Sequence, residues 1–191
     1  MHDDSDMKIA GQEYREELRS PVDHEIDRLY ERHRSCGNIT RAQRLGASLA
    51  EYMVSNAAGE NGVAADSVVL PPSADARVAL HVQLLSIFAL VTGVENSMPD
   101  KLLTRACLNV FYDSLKKERP HLYDAMSASG AFSFYYLNYR RDGSGSITGI
   151  ASDFAMLCGS RDDKELYDLG LSVFQRFNSY ACSLIRDMVF C

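Results

Sequence analysis

The chain has 191 residues, 46% of them apolar and 24% charged, which fits one folded domain able to bury its own core without staples. A net charge of −6 argues against a general nucleic-acid binder and against a basic membrane-surface module, because both depend on Lys and Arg meeting phosphate. The five cysteines, Cys36, Cys107, Cys158, Cys182 and Cys191, are widely spaced with no CxxC pair, so the pattern speaks for reduced thiols in a cytoplasmic protein rather than a disulfide framework or structural zinc.

Residues 1–20 begin MHDDSDMK, acidic and polar where a secretory signal is basic and then apolar. They are expected to be a partly ordered segment ahead of a single helical domain over residues 21–191. The first helix, about 22–35, puts Val22, Ile26, Leu29, Tyr30 and His33 on one stripe at helical spacing. The second, about 40–57, aligns Ala42, Leu45, Leu49, Tyr52 and Met53. Arg28, Arg32, Arg34, Arg41 and Arg44 gather across their junction, but Asp23, Glu25, Asp27 and Glu31 are interleaved with them. That mixture reads as a salt-bridged solvent face rather than a DNA-reading helix.

Residues 58–72, AGENGVAADSVVLPP, form a long connection whose VVLPP end can lie extended against the bundle. The third helix, about 74–92, is apolar almost all round, the mark of a helix buried at the centre of a bundle. It contains His81, Gln83, Ser86 and Thr92, too polar a set for a membrane span of this length. The fourth, about 98–117, aligns Leu103, Cys107, Val110, Phe111 and Leu115, with Ser97 and Asp100 as a capping box.

Pro120 opens a short helix over 120–128. Glu118 and His121 flank that proline as half of a di-iron ExxH motif, but there is no second copy, and no metal or cofactor site is expected. FSFYYLNYRR, 132–141, reads equally as helix or strand. Short helix 148–158 follows, and a long final helix, about 163–189, aligns Leu166, Leu169, Val173, Phe177, Ala181, Leu184 and Met188 behind a cap from Asp162 and Glu165.

The stretch RRDGSGSITGIASDF, 140–154, imitates two motifs and satisfies neither. With Gly145 at the glycine position of an EF-hand loop, Arg140 and Ala151 fall on the terminal calcium-ligand positions. Gly143, Gly145 and Gly149 form a GxGxxxG pattern like that of a phosphate-cradling loop, but no parallel strand follows the next helix. What remains is a Gly/Ser turn with Arg140 and Arg141 beside a helix start, the parts of a weak anion site.

The expected fold is all-α: a single bundle of five to seven helices around residues 74–92. The expected function is non-catalytic binding of a protein or small ligand, with an enzyme built near His81 as the alternative and a DNA-binding regulator as an unfavoured third. Candidate binding residues are His81, Phe132, Tyr135, Tyr136, Tyr139, Arg140 and Arg141. A buried imidazole hydrogen-bonded to a neighbour is the ordinary reading of His81. Five aromatics in eight residues, Phe132 to Tyr139, serve a core, a pocket wall or an interface. Together with Phe190 near the end of the final helix, they suggest self-association as a homodimer, without nucleic acid or membrane.

Overall fold

A computed structural model describes residues 21–56, 68, 70, 71, 74–141 and 147–191. Every regular element among the described residues is an α-helix, and there are eight: α1 (Pro21–Ser35), α2 (Asn38–Asn56), α3 (Ala76–Ser97), α4 (Lys101–Glu118), α5 (Pro120–Ala128), α6 (Ala131–Arg141), α7 (Ile147–Cys158) and α8 (Lys164–Asp187). The all-helical expectation holds, with the ambiguous segment 132–141 resolved as helix. The chain divides into two compact units, one of residues up to Asn38 together with Cys191, the other Ile39–Phe190.

In the first unit α1 leaves most of its apolar stripe open: Ile26, Leu29 and Tyr30 are all exposed, and only His33 is buried. Gly37, at φ 71°, takes the left-handed conformation that ends this helix and allows the next to start. Asn38 is fully buried, and its side-chain amide behaves like a strand partner. It donates to the Cys191 carbonyl at 2.8 Å and accepts from the Cys191 N–H at 3.2 Å. The same amide lies 3.0 Å from His33 Nδ1.

The second unit is built around α3. Asp75 caps it by accepting from the Val78 N–H, as its short carboxylate suits. Its run of apolar residues then has to be covered on every side, and α4, α5, α6, α7 and α8 all pack on it. Its two buried hydroxyls are satisfied locally: Ser86 donates to Val82 O and Thr92 to Phe88 O, one turn back. That is how hydroxyls enter an apolar helix without leaving an unmet donor. α3 is long and apolar enough to cross a membrane by length and composition, yet 78% of its most apolar window is buried inside the protein.

α8 forms the closest seam with α3. Gly93 lies against Ala181, while the Asn178 amide donates to Ala89 O at 3.2 Å and Thr92 Oγ1 at 3.3 Å. The caps of α4 and α8 differ slightly from the sequence expectation. Asp100 is itself the cap, accepting from Leu102 N and Leu103 N, and Ser97 instead belongs to the end of α3. Asp163, one residue past Asp162, accepts from Glu165 N and Leu166 N. Val68 and Leu70, from the VVLPP stretch, pack against the core. Met188 and Phe190 also lie partly buried against it, so Phe190 does not stand in water.

Candidate functional site

The aromatic segment sorts itself by helical spacing. On α6, Phe132, Tyr135, Tyr136 and Tyr139 occupy positions i, i+3, i+4 and i+7, one face of the helix. That face closes on Phe88 of α3, whose ring centroid lies 5.6, 5.3, 5.7 and 6.2 Å from theirs. Phe174 of α8 completes the group at 6.2 Å. Two hydroxyls leave this face for α3: Tyr136 donates to Glu95 Oε2 at 2.6 Å, and Tyr139 bonds the Asn96 amide. The segment is therefore core on one side, with Phe134 and Leu137 left exposed on the other.

Tyr135 is the exception within the core face. Its ring is completely buried, and its hydroxyl has no hydrogen-bond partner. Burial pushes its ionisation well above the usual range, with the charges of Cys158 and Asp153 adding to the effect. Both of those residues are on α7. Asp153 is the only ionisable carboxylate of that apolar helix, it is 4% exposed, and its Oδ2 accepts from the Asn138 amide of α6. No described Lys, Arg or His pairs with it.

His81 lies on α3 two turns before Phe88, hence on the same stripe. It is buried as expected, but the expected hydrogen bond is missing: Nδ1 has no partner. Burial, and then the Arg77 guanidinium one turn earlier, hold its pKa below the ordinary value, so the imidazole is neutral at pH 7. Arg77 itself lies over Gly159, whose φ of 117° and missing side chain make room; a methyl there would come 2.7 Å from Nη2. Burial raises the Cys158 thiol to about 12 despite the nearby Arg77.

These groups make up a polar strip across α3, α6 and α7 in which Arg77 acts electrostatically on His81 and Cys158, Cys158 and Asp153 act on Tyr135, and Asn138 bonds Asp153. It presents a neutral imidazole, a neutral phenol, a thiol and one carboxylate, with a guanidinium at its exposed end. Of the residues singled out in sequence, His81 and Tyr135 belong to it, while Phe132, Tyr136 and Tyr139 serve the Phe88 cluster beside it. Arg140 and Arg141 occupy the last turn of α6, and their side chains lie outside the described residues, as does the glycine turn 142–146. Arg77, Asn138, Asp153 and Cys158 were missed. Asp153 had a readable signal: a lone carboxylate in ITGIASDFAMLC.

Among the described residues no group of three His, Cys, Asp or Glu side chains could hold a metal ion. Glu118 and His121 are both exposed, at the boundary of α4 and α5. No family model matches the chain, and no curated protein or solved structure is significantly similar to it.

Proposed function

We propose that the chain is a small-ligand binding protein whose site is the strip between α3, α6 and α7. The observation that carries this reading is that two polar atoms on α3 and α6, His81 Nδ1 and the Tyr135 hydroxyl, are buried without a hydrogen-bond partner. A buried group without a partner costs about 1–3 kcal/mol, so folded proteins rarely keep such groups for packing alone. A bound molecule that meets both recovers that cost. The aromatic wall beside them supplies apolar contact, as ligand sites do.

A catalytic reading through Cys158 has less support. A nucleophilic cysteine needs its thiolate, and burial pushes this thiol to about 12, away from that form. None of the five cysteines is in a disulfide, which agrees with a reducing, cytoplasmic setting.

The test is a thermal-shift screen of the purified chain against cationic, anionic and neutral small molecules, followed by titration of the hits. At least one class should raise the midpoint, and His81→Leu or Tyr135→Phe should reduce the shift. A screen in which no class shifts the wild-type midpoint overturns the proposal.

Self-association is a second, independent proposal. Phe134 and Leu137 are exposed one turn apart on the outer face of α6, at 45% and 69%. A two-fold axis lets one such patch cover another copy of itself.

A further inference from the structure

Asp153 is a buried carboxylate whose single hydrogen-bond partner is a neutral amide, Asn138. Isolated buried charges are costly and are normally met by a cation. Here no described cationic side chain meets it. One turn before Asn138 on α6 stands Tyr135, whose hydroxyl is wholly buried with a free lone pair and a free proton. The strip therefore contains a carboxyl group with no cationic partner among the described residues and an unmet hydrogen-bonding oxygen, on α7 and α6.

We propose that Asp153 and the Tyr135 hydroxyl bind the nitrogen of a small organic amine, held as its ammonium ion. The inference deepens the ligand-binding reading and rests on it. An ammonium N–H donates to the carboxylate and another to the phenol oxygen, both charge-assisted bonds. Its charge replaces the missing cation beside Asp153. The rings gathered at Phe88, with Tyr135 at 5.3 Å, favour a cation that carries an apolar tail. His81 is neutral, so it does not oppose the ligand's charge.

A divalent metal fits these residues poorly. It asks for six or more oxygen ligands, or three or four strong donors, and the described residues offer no such group. An ammonium ion asks for only two or three acceptors.

The experiment is calorimetric titration of the full chain at neutral pH with butylamine and phenethylamine, and with butanol and butyrate as neutral and anionic counterparts. The amines should bind saturably and the counterparts should not. Asp153→Asn should weaken amine binding at least about tenfold, the scale of one hydrogen bond to a charged group. Tyr135→Phe should weaken it about three- to tenfold on the same scale. Circular dichroism checks that each variant is folded; if Asp153→Asn is not, Tyr135→Phe carries the test. Unchanged amine affinity in the folded variants overturns the proposal, as does absence of saturation in the parent chain. If butanol or butyrate binds in the amines' place and Tyr135→Phe abolishes it, the amine assignment falls while the ligand site stands.

Discussion

Gly46 of α2 lies directly on the backbone of Cys107 in α4: a methyl group at Gly46 would stand 2.2 Å from the Cys107 carbonyl oxygen and 3.1 Å from the Phe111 nitrogen. Those are main-chain atoms of a helix, and they cannot swing aside as a side chain would. Gly46→Ala must therefore push the two helices apart, and it should cost about 3 kcal/mol or more, the upper end of overpacking. Gly130 offers the contrast. A methyl there meets nothing within 4 Å, but φ is 65°, so Gly130→Ala should cost only about 1–2 kcal/mol of backbone strain. Urea unfolding of both variants measures the difference; equal losses would contradict the close approach.

His81 gives a pH signature with a definite sign. Its native pKa is lowered from 6.5, so the unfolded chain takes up its proton more readily than the folded one. The contribution of the neutral imidazole is fully present above 6.5 and is lost as pH falls from there towards the depressed native value. Unfolding midpoints in urea from pH 7.5 to pH 5 should fall more steeply for the parent than for His81→Leu. Because Nδ1 meets no partner, the leucine variant should also be at least as stable as the parent at neutral pH. A large loss of stability there would reveal a packing role that the leucine cannot replace.

The thiols should separate by access and ionisation. Cys107 and Cys158 are buried, and burial pushes both to about 12; Cys191 is exposed. Thiolate is the reactive form, so in native protein at pH 8 Cys191 should label quickly with an aromatic disulfide reagent. Cys107 and Cys158 should label only after unfolding. Peptide mapping by mass spectrometry identifies the sites, and rapid native labelling of Cys158 would show that the strip opens readily to solvent.

Self-association is testable by light scattering on a gel-filtration peak at micromolar concentration. A stable dimer has twice the 21.3 kDa chain mass. Phe134→Ser with Leu137→Ser should return it to monomer without loss of helix, since both side chains are exposed. A monomeric parent chain, or a dimer unaffected by the pair of substitutions, contradicts the proposed surface.

Asn38→Ala should release the main chain at Cys191, since two hydrogen bonds and the contact with His33 are lost together. The Asn38 site is wholly buried, so the cost should be about 1–3 kcal/mol, the penalty for unmet buried groups. Hydrogen exchange at the Cys191 amide, faster in the variant, provides the local check.

Local chemistry made the helices readable from the amino-acid order alone. Period 3.6, aspartates at helix starts, Pro120 and glycines at helix ends place most of the elements within a few residues, while 132–141 stayed open between helix and strand. The almost all-round apolar character of 74–92 also identified the centre of the bundle, because such a helix can only be stable when covered; the observed helix runs on to Ser97. Even the helical state of 131–141 had a signal, in the i, i+3, i+4, i+7 spacing of Phe132, Tyr135, Tyr136 and Tyr139. What the order of residues could not decide was which polar groups meet across helices. Tyr135 faces Asp153 and Cys158, Asn138 bonds Asp153, and Asn38 holds Cys191, because helix packing brings together positions with no local relation in the chain. Whether a buried histidine or tyrosine finds a partner depends on the neighbour that packing supplies. For that reason the unmet hydroxyl of Tyr135, the unmet nitrogen of His81 and the buried carboxyl of Asp153 became a candidate site only in the folded molecule.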